Sequence, residues 1–92
     1  MKIEFDPTKS LNNELVRGLP FRLVEEFDFD SAQIVADARH DYGEIRYRAV
    51  GMMNGIVAVV VFTMRGETVR VISLRLAGRK ERQKYDEAQD QS

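Results

Sequence analysis

Chemistry concentrates where a strand-like run, Val69-Arg70-Val71-Ile72-Ser73-Leu74-Arg75, feeds a cationic helix carrying Arg79, Lys80, Arg82, Lys84 and Tyr85. Guanidinium groups grip phosphate oxygens through paired hydrogen bonds and stay charged at any working pH. Arg46, Arg65, Arg75 and Arg82 are therefore the candidates for an anion clamp. Groups that can move protons are fewer. His40, the single histidine, belongs to the one side-chain type that ordinarily titrates near neutrality. Glu44 and Glu81 would serve as bases only with raised pKa values. Tyr85 would serve as an acid only if cations lowered its pKa, and Arg82, three residues earlier, shares its side of a helix.

The charges of that helix run against its dipole. Gly78-Arg79-Lys80 opens it and Asp86, Glu87 and Asp90 close it, each misplaced charge costing about 0.3–1 kcal/mol when exposed. Free N–H groups and side chains make its N-terminus doubly positive, a place suited to an anion, and Arg75 arrives just before it. Plainer roles stand beside these. An isolated histidine in a polar loop, such as His40, is more often a turn residue than a catalyst, and Arg75 reads equally as a structural partner of Glu81 or of an acid in the 25–44 segment. Arg46 and Arg48 fit the solvated face of a strand, and Tyr85 an anchor that buries its ring against a sheet. The spacing of Asp28, Asp30, Asp37 and Asp41 fits no magnesium loop, so these read as solvated turn acids.

The elements that must position these groups follow from pattern. Lys2 to Phe5 reads as a short strand. Asp6-Pro7 is a helix start, with Asp6 as N-cap and Pro7 at the first helical position, and Gly18 closes that helix. Leu11 and Leu15 give it a thin apolar stripe. Pro20 opens a second, shorter helix with Phe21, Val24 and Phe27, or Leu23 and Phe27, on its apolar side. Ala32 to Asp37 is a first meander strand, followed by a polar loop to Gly43. Ile45 to Met52 is a strand with Ile45, Tyr47 and Ala49 on one face and Arg46 and Arg48 on the other. Asn54-Gly55 signals a type I′ hairpin. Ile56 to Thr63 is apolar at nearly every position, as in a central strand covered on both faces. Thr68 to Arg75 is the last strand. Antiparallel strands in sequence, with two helices before and one after, predict an α+β domain: two N-terminal helices, an antiparallel meander sheet and a C-terminal helix. Residues 1–88 form one domain in this reading, with a frayed tail over 89–92.

Composition narrows the function classes. At 92 residues the chain holds one modest core. Without cysteine, and with one histidine, it offers no disulfide, thiolate metal site or histidine zinc cluster. No metal or cofactor is expected. The longest apolar run, Ile56 to Phe62, is too short to span a bilayer, and the N-terminus lacks the apolar run of a signal peptide, so a soluble cytoplasmic protein is expected. The net charge of −1 conceals an asymmetry. Residues 25–44 carry seven acids against Arg39, whereas residues 45–85 carry nine Lys/Arg against Glu67 and Glu81. A bipolar molecule of this kind can hold a polyanion on one side, or its halves can neutralise each other.

The order of motifs resembles a known family. Phe5-Asp6-Pro7-x-Lys9, Asn12, Gly18 and Phe21…Glu25…Phe27 come first. Asp37-x-Arg39-His40-x5-Arg46-x4-Gly51 follows, then a Val-rich strand, then Arg70-Val71-Ile72-Ser73-x-Arg75-x-Ala77-x3-Glu81-Arg82-x2-Tyr85. This pattern, over residues 2–87, resembles the BrnT toxins of type II toxin–antitoxin systems, small ribonucleases with a RelE-like fold. The resemblance implies a metal-independent endoribonuclease that cleaves RNA and inhibits translation. It also implies a BrnA-like antitoxin partner with a ribbon-helix-helix DNA-binding domain, DNA being reached only through that partner. One departure is Val16-Arg17-Gly18 where the family commonly has Lys-His-Gly, which withholds a histidine.

Metal-free RNA cleavage needs help in deprotonating the 2′-OH, cations at the pentacovalent phosphate and a proton for the leaving 5′-oxygen. His40, Arg46, Arg65, Arg75, Arg82 and Tyr85 are the residues assigned to this work, with Tyr42 as a platform for a stacked base. A basic face of this kind is expected to be covered by an acidic segment of the antitoxin near Arg46, Arg75 and the last helix. The alternative function is a non-catalytic RNA- or protein-binding module.

Overall fold

The computed structural model describes residues 1–37 and 43–90. In chain order it contains β1 (Lys2–Glu4), α1 (Pro7–Arg17), a 3₁₀ segment (Phe21–Glu26), β2 (Gln33–Asp37), β3 (Arg46–Met53), β4 (Ile56–Arg65), β5 (Thr68–Leu76) and α2 (Arg79–Asp90). The five strands form one sheet in the order β1-β5-β4-β3-β2. This is an α+β chain, and no described helix is long and apolar enough to cross a membrane.

Local chemistry accounts for most boundaries. The Asp6 carboxylate accepts from Thr8 N at 2.9 Å, Pro7 follows it, and Gly18 closes α1 at φ 74° with its N–H donating to Glu14 O. Asn54 and Gly55 turn β3 into β4 with φ values of 52° and 81°, as a type I′ turn requires.

Three expectations are corrected. The second N-terminal helix is only a six-residue 3₁₀ segment. Phe21 and Val24, with Phe27 just beyond, are spaced by three and all buried, which fits a three-residue turn better than an α-helix. The sheet is mixed, not purely antiparallel: β2 to β5 form the meander, but β1 lies parallel to β5 through Ile3↔Val69. The Leu11–Leu15 stripe faces outward, and Leu15 is 77% exposed. The inner side of α1 is polar instead. Buried Ser10 Oγ accepts from Phe21 N at 2.9 Å, and Asn13 Nδ2 donates to Leu19 O at 2.6 Å and Leu74 O at 2.9 Å. These bonds satisfy backbone groups that would otherwise be stranded where α1 meets the sheet.

The core lies on one face of the sheet. Ala49 and Met53, Ala58, Val60 and Phe62, and Val69, Val71 and Leu74 pack against Phe21, Val24 and Phe27. Phe29 meets Phe27 and Phe62 edge-on at 4.7 and 5.5 Å, and Tyr47 stacks on Phe62 at 5.4 Å. A β-carbon on Gly51 would stand 2.9 Å from both Ala32 Cβ and Phe27 Cζ, so glycine there lets Phe27 reach β3.

One irregularity in β5 decides what the other face carries. The β4–β5 register shifts between Val61 and Phe62: Val71 opposes Phe62, Ser73 opposes Val61, and Ile72 is the extra residue. Arg70 and Arg75 are five apart, so in an unbroken strand they would point to opposite faces. The bulge inserts one step. Both arginines then lie on the face away from the core.

Candidate functional site

The second face of the sheet is assembled by register. Cα partners run Asp37↔Arg46↔Thr63↔Arg70↔Glu4 across all five strands. The next row is Val35↔Arg48↔Val61↔Ser73, and the next Gln33↔Val50↔Val59↔Arg75. Directly opposed residues share a face. Arg46, Arg48, Arg70 and Arg75 therefore stand on one surface, drawn from β3 and β5, with Arg65 at its far end.

Arg46 and Arg70 flank Thr63 from either side, each one strand spacing of about 4.8 Å away. Arg48 stands two residues along β3 from Arg46, about 7 Å away. Three guanidinium stems thus rise around one stretch of β4. Arg70 Nη1 lies 3.5 Å from Glu4 Oε1, and Arg46 Nε lies 3.9 Å from Glu44 Oε1. Arg48 is exposed and makes no ion pair among the described residues. Glu4 Oε1 also lies 3.9 Å from Arg65 Nε, so one carboxylate serves two cations and positive charge remains in excess.

Arg75 behaves differently. Its two terminal nitrogens donate to Glu81 Oε1 and Oε2 at 2.6 and 2.9 Å, a forked pair. Glu81 Oε1 also accepts from Gly78 N at 2.8 Å, the reach-back half of a capping box. The anion that the helix N-terminus attracts is thus Glu81 itself. The Arg75 hydrogen bond, aided by the Gly78 N–H and the charges of Arg75 and Arg48 against a smaller opposing effect of burial, lowers the Glu81 pKa to about 2. The same bond raises the pKa of Arg75. Glu81 is therefore ionised at neutral pH and poorly suited to act as a general base.

α2 lies over the part of this face nearest β2 and the Gln33–Arg75 row. Glu81 and Lys84 line a hollow of about 170 Å³ with Gln33, Val35, Arg48 and Val50. Tyr85, one turn after Glu81, is buried, and Val57 and Val59 are buried on the same side of the sheet.

The sequence candidates therefore separate. Arg46 joins Arg48 and Arg70 at the centre of the face. Arg75 lies on that face but is tied to Glu81. Arg65 ends β4, six residues from the position opposite Arg75, about 20 Å along the strand. Arg82 lines a hollow on the outer side of α2 with Arg79, Gln83, Asp86, Glu87 and Asp90, because the inward positions are held by Glu81 and Tyr85. The expected shared side for Arg82 and Tyr85 is not seen. His40 and Tyr42 lie outside the described residues. Asp28 holds a turn: it accepts from Asp30 N and the Ser31 hydroxyl, and the Ser31 bond lowers its pKa.

Arg48 and Arg70 are the residues that a reading by sequence passes over as site members. A signal for Arg70 was present. Val69 and Val71 keep one alternation and Leu74 and Leu76 keep another, offset by three. Such a phase slip marks a bulge and brings Arg70 into line with Arg75.

Residues 5–81 match the model of a family described as ribonuclease toxin, BrnT, of type II toxin-antitoxin system. A search of curated proteins finds no match to the chain.

Proposed function

The chain belongs to the BrnT family of ribonuclease toxins of type II toxin–antitoxin systems, and from that premise we propose that its arginine face binds the backbone of single-stranded RNA and supports metal-independent cleavage that inhibits translation. The observation that carries this reading is the grouping of Arg46, Arg48 and Arg70 around Thr63 on the face away from the core. In the proposed reaction the 2′-oxygen attacks phosphorus and the bond to the 5′-oxygen breaks. One proton leaves the 2′-OH and one arrives on the 5′-oxygen. Charge building on the phosphate is met by fixed guanidinium groups that need no reorganisation. His40 is the proposed proton carrier, being the one side chain of suitable ordinary pKa. Arg65 extends the backbone path, and Arg75 and Tyr85 fix α2 against the sheet. Arg82, on the outer side of α2, is proposed to meet a more distant phosphate.

The architecture is proposed to be RelE-like and the site of action the cytoplasm. The partner is proposed to be a BrnA-like antitoxin with a ribbon-helix-helix domain, an acidic part of which covers the face near Arg46, Arg75 and α2.

A second reading has its own motive. Arg75 is occupied by Glu81, Tyr85 is buried, and Arg17 stands where the family commonly has histidine. These observations favour a module that binds RNA without cutting it. Purified, antitoxin-free protein incubated with RNA in EDTA separates the two. Cleavage that is lost in His40→Ala, with binding kept, is the expected result. Intact RNA that is nevertheless bound by folded protein overturns the enzyme and leaves the module. Growth arrest on expression, with a fall in amino-acid incorporation, is the expected cellular result.

A further inference from the structure

The two edges of the sheet are guarded differently. β1 is three residues long and carries Lys2 and Glu4. Short length and charge are the usual protection against unwanted strand pairing. β2 has neither. It runs Gln-Ile-Val-Ala-Asp with no lysine or proline, and none of its five pairs with β3 is bulged. Ile34 and Val35 are 43% and 50% exposed, on opposite faces. No described strand neighbours its outer edge.

We propose that the outer edge of β2 receives an extended segment of the antitoxin as a sixth strand, with apolar and acidic side chains alternating along it. The proposal rests on the toxin–antitoxin reading above and adds the place and manner of docking. Side chains of an added strand alternate between faces. On the core side they would meet exposed Ile34. On the arginine side they would meet Val35 and the hollow of about 170 Å³ that holds Arg48 and Lys84. Glu81, the acid in that hollow, is already paired with Arg75, so the hollow is net positive and favours carboxylates. A second copy of this chain is a poorer occupant. Paired antiparallel about Val35, it would set Val35 against Val35 and bring a single acid, Asp37, opposite Gln33. Five paired residues also bury far less than the roughly 1,200 Å² expected of a stable interface. A longer partner segment continues onto the arginine face and gains the missing area. Inhibition would then follow from geometry, since a chain anchored outside β2 lies two strand spacings, about 10 Å, from Arg46 and Arg48 on β3.

Amide hydrogen exchange on the free full-length protein and on its complex with the co-expressed antitoxin tests this. Exchange at Ile34, Val35 and Ala36 is expected to slow at least tenfold in the complex. Ile34→Lys and Ala36→Lys, each checked for an unchanged melting temperature, are expected to weaken the complex at least tenfold while RNA cleavage by the free protein stays within twofold. Higher salt is expected to weaken the wild-type complex. A complex that forms but leaves β2 exchanging as in the free protein overturns this docking mode alone. Failure to form any complex overturns both it and the partner reading. Protection of β2 that appears in the free protein as concentration rises assigns the edge to a second copy and overturns the antitoxin as its occupant.

Discussion

The two faces of one sheet do different work with the same strands. The core face takes Ala49, Val60, Phe62, Val71 and Leu74 and closes them under Phe21, Val24 and Phe27. The opposite face takes the alternate positions and holds Arg46, Arg48 and Arg70, with α2 over one part of it. On the core face every group is fixed by packing, and a missing methylene is felt. On the arginine face Arg65 and Arg70 meet Glu4, and Arg46 meets Glu44, in ion pairs of 3.5–3.9 Å, each worth about 0–1 kcal/mol to stability, while Arg75 is tied to Glu81. Pairs of that length contribute little to folding beside the packed core.

That contrast can be broken from either side. Phe21→Ala, at one of the most buried positions, should cost about 3–5 kcal/mol. The fall would show in the urea midpoint, with cleavage per folded molecule unchanged. Gly51→Ala puts a methyl 2.9 Å from Phe27 and Ala32 and should cost about 1–3 kcal/mol through overpacking, again read from denaturant unfolding. Arg48→Ala and Arg70→Ala should each lower the kcat/KM for RNA cleavage about tenfold, about 1.4 kcal/mol, with melting temperature almost unchanged. Each should also flatten the dependence of log binding on log salt by about 0.7. If either instead unfolds the protein, the arginine face is structural and the contrast fails.

The Arg75–Glu81 pair is the sharper case, because it is a forked pair with both nitrogens within 2.9 Å of the carboxylate. Its carboxylate is held at about 2 against an ordinary 4.5. A depressed carboxylate stabilises the fold above its ordinary pKa and loses that contribution as pH falls towards the folded value. Glu81→Gln should therefore lower stability by about 1 kcal/mol at pH 7, after allowance for solvent screening. The difference from wild type should shrink between pH 4.5 and pH 2, as measured by thermal melts across that range.

How far the sequence foretells these faces depends on how local the cause is. Asp6, Pro7 and Gly18 bound α1, and Asn54-Gly55 turns the hairpin, because capping and positive φ are settled within a few residues. The alternation in Ile45 to Met52 places Arg46 and Arg48 opposite Tyr47 and Ala49, because side chains on a strand must alternate. The Leu11–Leu15 stripe misleads, because Ser10 and Asn13 answer to backbone groups supplied by Phe21, Leu19 and Leu74. The anion expected at the start of α2 proves to be Glu81, which lies within that helix.

By itself the sequence determined the strands, their turns, the apolar face and the family to which residues 5–81 belong. Only the tertiary structure decided which arginines stand together. A bulge at Ile72 puts Arg70 on the face of Arg75, while helix rotation set by Tyr85 and Glu81 sends Arg82 away. The physical reason is range: caps, turns and alternation act between neighbours in the chain, whereas a shared surface depends on strand register and helix orientation, which are settled by contacts between residues far apart in sequence.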